Sequence, residues 1–248
     1  MILVVEWMSS CSGVLVESIT VRYSLFVFLT LLLSGFLAYS TYATARLLRT
    51  WRPSSNPLLE PADNLLRVGL AFMCVALGWL SGLPFATLGW TLTSPLRQTA
   101  LGMAIGLLLA LFFYVATRSL VVFTGHRYYS TVLLDLIAPH SRREFVAVAI
   151  ALVPSVLLEE LLFRSLWVGG FSQIVSALLL VAASSLLFGL MHKPQGAWGM
   201  IGAGLAGVLF GGLFLWTGSL LLPLVAHYTT NLAQLAAACH MHVDPADV

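Results

Sequence analysis

Long apolar runs follow one another along the chain, separated by short polar breaks or breaks that contain proline and glycine. The runs are near the roughly 20 residues that an α-helix needs to cross a bilayer, and none shows the strict alternation of a barrel strand. A spanning segment must also satisfy its backbone hydrogen bonds internally, which favours helices. The pattern predicts helices at residues 22–46, 65–85, 97–124, 144–168, 174–192, 197–217 and 219–239.

This series predicts an all-α fold: a polytopic membrane bundle of about seven transmembrane helices, with a range of about six to eight. The segment 46–64 contains three prolines and is a polar connector between spans, so residues 1–248 form one integral membrane domain. Residues 1–18 lack the positively charged start of a cleavable signal peptide. We interpret them as an interfacial segment or an incomplete extra span.

Composition makes a membrane location necessary. Hydrophobic residues make up 59% of the chain and charged residues only 9%, against about 25% charged in a soluble domain. The formal net charge is +2 and there is no polybasic run, which argues against nucleic acid as a partner. The three cysteines are isolated among apolar residues, so they predict neither a disulfide framework nor a metal knuckle.

Basic residues mark the loops that are expected to face the cytoplasm. They cluster after the first and third predicted helices and follow the fifth, whereas the loops at 169–173 and 217–219 carry no charge. By the positive-inside rule, this places the basic loops and the C-terminus in the cytoplasm. With seven spans, the N-terminus lies outside.

Three ionisable residues interrupt the apolar run 144–168: Glu159, Glu160 and Arg164. Charged groups are costly in lipid and need a partner or a function. Glu160 and Arg164 are four residues apart and share a helix face, whereas Glu159 lies about 100° round the helix. The three either form a buried ion network that fixes helix packing, or leave one carboxylate available as a general base.

Two further polar elements lie in later helices. Phe188 and His192 are one turn apart at the end of the fifth predicted helix, and His227 and Asn231 share a face of the last. Counting the rise per residue from the uncharged loops puts Glu159, His227 and Asn231 at one level near the middle of the bilayer. The same count puts His192 roughly 12 Å deeper.

Together these elements resemble the CPBP intramembrane proteases, a family that includes the type II CAAX prenyl endopeptidases and the bacterial Abi proteins. The resemblance covers about residues 144–239, the catalytic core of that family, and no defining position departs from its pattern. The motifs that carry it are Glu159-Glu160-x-x-x-Arg164, Phe188-x-x-x-His192 and His227-x-x-x-Asn231.

The resemblance implies an endopeptidase that hydrolyses a peptide bond within the membrane. Glu159 would be the general base that activates a water, helped by His192. His227 and Asn231 would donate hydrogen bonds to the oxyanion of the tetrahedral intermediate. The implied substrate is a membrane-anchored protein or peptide, and the compact chain with few lysines suits the inner membrane of a bacterium.

The resemblance also implies that Glu160 and Arg164 hold the site together. A metal-free mechanism without a cofactor is the favoured interpretation. The alternative is zinc bound by Glu159, His192 and His227 with a water in the open position. No helix here carries the His-Glu-x-x-His spacing, so the sequence leaves the metal question open.

Two functions from other classes remain as alternatives. Buried Glu, His and Arg also build proton relays, so a proton-coupled transporter is one. It would predict repeated halves with matched broken helices, and neither is visible in the sequence. The other is a non-catalytic scaffold or immunity protein, against which the complete motifs argue.

Overall fold

The described part of the chain, the backbone of residues 2–242 and the side chains of 20–125 and 127–239, is helical with no strand in the computed structural model. This confirms the predicted all-α class. A short helix, α4 (Val132–Ile137), precedes α5. The long helices are α1 (Ile2–Leu47), α2 (Pro61–Leu80), α3 (Pro95–Thr124), α5 (Arg142–Glu160), α6 (Ala177–Met191), α7 (Gly196–Thr217) and α8 (Leu221–His242).

Long helices therefore lie at the seven predicted places, but among the described residues only five segments are long and apolar enough to cross a membrane. They are Thr20–Leu47, Pro61–Leu80, Pro95–Thr124, Arg142–Gln173 and Lys193–Thr217. The protein is an integral membrane protein, whereas the count of seven spans is not confirmed. The helix α6 has only 15 residues, and α8 is diluted by the polar residues that the sequence singles out. The interpretation of residues 1–18 rests on side chains outside the described part.

The end of α2 differs from its prediction. The apolar pattern predicts a helix over 65–85, yet α2 begins at Pro61 and ends at Leu80. Proline suits the first turn of a helix, where its missing N–H has no partner to lose. Gly82 follows with a φ of 71°, a left-handed conformation that glycine adopts without cost and that ends the helix.

The basic loops meet at one end of the bundle, which we call the arginine-rich end (residues 46–60, 125–143 and 192–196). The loop after α3 is joined to the α6–α7 connection by two backbone hydrogen bonds, Ser130 N–H to Gln195 O at 3.1 Å and Trp198 N–H to Tyr128 O at 2.9 Å. The Asn56 side chain, after α1, donates to Ile137 O at 3.1 Å. The predicted segregation of basic loops is therefore present in the fold.

The opposite end is built around the connection 81–94, which folds back over the bundle. Leu220 N–H donates to Gly89 O at 2.8 Å, and Ser219 Oγ donates to Thr91 O at 2.9 Å. Ser165 Oγ, buried below, donates to Leu88 O at 2.7 Å. This connection therefore fixes the start of α8 relative to the segment that follows α5, and these two elements carry the candidate site.

Small residues bring α6 and α7 into close contact. A Cβ added at Gly207 would lie 3.0 Å from Ser185 Cβ, and one at Gly211 would lie 2.9 Å from a methyl group of Val181. At Gly189 the nearest atom would be a backbone carbonyl, Met200 O, at 2.6 Å. The α6 and α7 backbones can approach this closely only because these positions lack side chains.

We expect Gly189→Ala to destabilise the protein by about 1–3 kcal/mol, because the new methyl group meets backbone that cannot move aside cheaply. Gly212→Ala is the matched control, since nothing lies within 4 Å of its added Cβ. That change should be neutral or stabilising by up to about 1 kcal/mol, because alanine is the better helix former. Unfolding of the purified variants in mixed micelles measures both. Equal effects of the two variants would contradict the close packing of α6 on α7.

Candidate active site

The C-terminal end of α5 carries the two adjacent glutamates in different surroundings. Glu160 is fully buried, with 0% of its side chain exposed, whereas Glu159 is 34% exposed. Immediately after them the backbone changes to a π-helix, Leu161–Gly169, where the sequence predicts one regular helix over 144–168. Such wide turns are frequent at functional sites.

Glu160 and Arg164 form the ion pair that their spacing predicts. Arg164 Nη1 donates to Glu160 Oε1 at 2.9 Å, and Arg164 Nη2 reaches the Gly207 carbonyl at 3.3 Å. The guanidinium carbon also lies 5.0 Å from the ring centroid of Phe188 and 5.3 Å from that of Phe210. The buried cation is thus neutralised by one carboxylate and enclosed by aromatic faces, which attract cations.

His227 lies between the two glutamates. Its Nδ1 is 2.8 Å from Glu160 Oε1, and its Nε2 is 3.6 Å from Glu159 Oε2. Because an ionised carboxylate only accepts hydrogen bonds, Nδ1 carries a proton and donates a hydrogen bond to Glu160. The ring is buried and stacks on Phe210, with centroids 4.9 Å apart at 23°. Glu160 therefore orients the imidazole so that Nε2 faces the exposed carboxylate.

His192 approaches the same site from the end of α6. Its Nδ1 is 2.7 Å from the Phe188 carbonyl, and since a carbonyl only accepts, this nitrogen is the protonated one and Nε2 has a free lone pair. The Phe188 ring is 4.5 Å from the His192 ring and 5.8 Å from the His227 ring, centroid to centroid. The depth count put His192 well below the others, whereas the contacts of the Phe188 ring with both imidazoles place His192 at the same site.

Asn231 lies one turn after His227 on α8 and is half-buried. Its helix is tied in place by residues that the sequence analysis did not select. Tyr228 donates to Ala149 O of α5 at 3.0 Å, and Thr230 donates to Gly106 O of α3 at 3.2 Å. Both residues are polar within an apolar run, and this is the sequence feature from which they could have been selected.

Two other neighbours of the site could not be selected from their spacing. Phe210 of α7 forms the face on which His227 stacks, yet it looks like any apolar residue of that helix. Arg67 of α2 lies within electrostatic reach of Glu159 and donates to Asn64 Oδ1 at 3.1 Å. Its charge inside the apolar run of α2 is the sequence feature from which Arg67 could have been selected.

The zinc alternative requires three protein ligands close together. No group of three or more His, Cys, Asp or Glu side chains among the described residues is arranged to hold a metal ion. This includes the set Glu159, His192 and His227 that the zinc alternative requires. We therefore derive no chemical step through a metal.

Comparison with known proteins places these elements in a family. Residues 141–233 match the family model described as type II CAAX prenyl endopeptidase Rce1-like. This match covers less than half of the chain and supports membership of the CPBP family. No curated protein and no solved structure gives a significant match to it. The matched segment runs from the start of α5 into α8, so all three motifs lie inside it. The match supports, at family level, a CAAX-type intramembrane endopeptidase.

Phe188 is expected to position the imidazoles of His192 and His227 in the candidate site. Phe188→Leu keeps an apolar side chain of similar size but removes the ring between His192 and His227. We expect cleavage to fall by about 10- to 100-fold through misplaced groups, with less than about 1.5 kcal/mol lost in stability. Phe112→Leu, at an exposed ring on α3, is the control. Rates of cleavage by the two purified variants, compared after matching their folded fractions, test this; unchanged activity in Phe188→Leu would contradict the role.

Proposed function

We propose that the protein cleaves a membrane-anchored protein or peptide with Glu159 as the general base. The observation that supports this most directly is the contrast between the two glutamates. Glu160 is committed to Arg164 and His227, whereas Glu159 is one-third exposed and its nearest partner, His227 Nε2, is 3.6 Å away. Glu159 therefore keeps lone pairs for a water molecule.

In the proposed reaction, the water held by Glu159 attacks the carbonyl carbon of the peptide bond while Glu159 takes its proton. His192 Nε2, whose lone pair is free, accepts a second hydrogen bond from this water. Glu159 then returns the proton to the nitrogen of the leaving amine as the carbon–nitrogen bond breaks. Glu159 moves the proton and His192 only orients the water, so no covalent intermediate forms between the protein and its substrate.

The negative oxygen of the tetrahedral intermediate needs donors. We assign this role to the Nε2–H of protonated His227 and to the Asn231 amide. The imidazole of His227 is held between two carboxylates, Glu160 at 2.8 Å and Glu159 at 3.6 Å. Arg164 holds Glu160 in place through the ion pair at 2.9 Å, which supports the role of the pair as a structural element of the site. No cofactor enters this scheme.

We also propose that the arginine-rich end and the C-terminus face the cytoplasm, in a bacterial inner membrane. The clustering of the basic loops at one end supports this orientation. The substrate enters from the lipid or from either surface. Its class is a protein or peptide that already lies in the membrane.

The test compares cells that express the wild-type chain with cells that express Glu159→Gln, by mapping the termini of all membrane peptides. New termini found only with wild type would support the proposal and identify the substrate. Asp135→Asn, at an exposed carboxylate of α4 outside the site, is the control and should match wild type. Identical termini in all three would overturn the proposal in favour of a carrier or a scaffold, since a histidine between two carboxylates also serves in proton relays.

A further inference from the structure

A cavity of about 360 Å³ opens at the arginine-rich end, outside the candidate active site. It lies between the end of α1, the segment before α4 and the start of α7. Its size falls in the range of small-molecule sites. The residues that line it are Ala45, Leu48, Arg49, Ser130, Val132, Lys193, Pro194, Gly196, Ala197 and Met200.

The lining combines two cations with apolar walls. Arg49 and Lys193 come from separate elements, the loop after α1 and the turn after α6, and both line this one space. Lys193 Nζ lies 4.8 Å from the Tyr42 ring centroid. Within the described residues, no carboxylate forms a salt bridge with either cation. Lys193 is the only lysine of the chain, so the turn that carries His192 places the sole ammonium of a side chain here.

Aromatic residues near the cavity indicate that it lies at the headgroup level of a membrane. Tyr42, whose ring Lys193 contacts, is 46% exposed; Trp51, two residues after Arg49, is 54% exposed; and Tyr128, two residues before Ser130, is 42% exposed. Tyrosine and tryptophan favour the membrane–water interface. Of the apolar wall residues, Leu48 directly follows α1 and Met200 belongs to α7.

We propose that this cavity binds an anionic phospholipid. The phosphate group lies between Arg49 and Lys193, which attract it as cations, and the Ser130 hydroxyl donates a further hydrogen bond. The start of an acyl chain lies against the apolar wall. A zwitterionic lipid carries its own ammonium into the same space and meets two cations, so a lipid with net negative charge is preferred.

The position of the site links it to the catalytic turn. Lys193 directly follows His192, and Gln195 N–H donates to His192 O at 3.0 Å. The backbone N–H of Ser130, on the other wall, donates a hydrogen bond to Gln195 O. A lipid that bridges Arg49 and Lys193 therefore holds α1 and the His192 turn together.

The experiment measures lipid binding directly, by native mass spectrometry of the purified full chain with short-chain phosphatidylglycerol, short-chain phosphatidylcholine or inorganic phosphate. We expect binding of phosphatidylglycerol well above that of phosphatidylcholine. Each cation near an anionic headgroup is worth about fivefold in affinity, so Arg49→Gln or Lys193→Gln should weaken binding about fivefold and the double variant about 30-fold.

Arg52→Gln is the matched control, because Arg52 is an exposed arginine of the same loop that does not line the cavity. It should leave lipid binding unchanged. An equal loss in Arg52→Gln would overturn the proposal in favour of general surface charge, and equal binding of both lipids would overturn it as well. Binding of inorganic phosphate as tight as that of phosphatidylglycerol would reassign the site to a free anion. Glu159→Gln should bind the lipid as wild type does, so this test does not depend on the proposed protease activity.

Discussion

Glu159→Gln is expected to lower the rate of peptide cleavage by about 10²- to 10⁴-fold, the usual contribution of a general base. The amide has the shape of the carboxylate but cannot take a proton from water. Because Glu159 is partly exposed and Glu160 supplies the buried ion pair, folding should not suffer. The measurement is single-turnover cleavage, by purified protein in liposomes, of the substrate found by comparing termini.

Asp135→Asn provides the control for this experiment, since it makes the same carboxylate-to-amide change at an exposed position outside the site. It should keep the wild-type rate. A Glu159→Gln protein that cleaves within about threefold of wild type would contradict the assignment of the base. Loss of the folded protein in Glu159→Gln would contradict the distinction drawn between a committed Glu160 and a free Glu159.

Arg164→Met is expected to cost about 3–5 kcal/mol of stability, because it leaves Glu160 as a buried charge without its partner. Only 2% of Arg164 and none of Glu160 is exposed, so water cannot replace the lost contact. Methionine keeps much of the apolar stem. The free energy of unfolding in mixed micelles measures the effect, and Arg118→Met, at an exposed arginine of α3, should change it by less than about 0.5 kcal/mol.

A double variant keeps this prediction testable if Arg164→Met does not accumulate. Glu160→Gln combined with Arg164→Met removes both charges, so no unpaired ion remains in the interior. The double variant should be more stable than Arg164→Met alone and should accumulate in the membrane. A double variant that is less stable than the single one would show that lost packing, rather than the stranded carboxylate, is the cause.

Much of the fold could be predicted because lipid imposes simple rules on a chain. A spanning segment must be helical and apolar, so the helix positions and the all-α class could be read from the apolar runs. The number of spans could not. The apolar run that contains α6 yields a helix of only 15 residues, because a turn at residues 174–175 delays its start.

The candidate site, like the fold, could be predicted from the sequence only in part. The pairing of Glu160 with Arg164 could be predicted because a helix brings residues four apart to one face. The wide π-helical turn after Glu160 leaves no comparable mark in the apolar pattern. The role of Phe210 could not be predicted either, because the sequence pattern of an apolar helix does not distinguish an aromatic residue that faces lipid from one that faces a histidine.

By itself, the amino-acid sequence determined that the chain forms helices in a membrane, and it predicted that the chemistry is concentrated in three short motifs. Only the tertiary structure decided which glutamate is free. Glu159 and Glu160 are adjacent and chemically identical, and the helix period only separates their directions. Glu160 points to the interface where Arg164, the Gly207 carbonyl and His227 converge, whereas Glu159 points to a partly open space. That difference depends on contacts between residues far apart in the chain, which no local pattern contains.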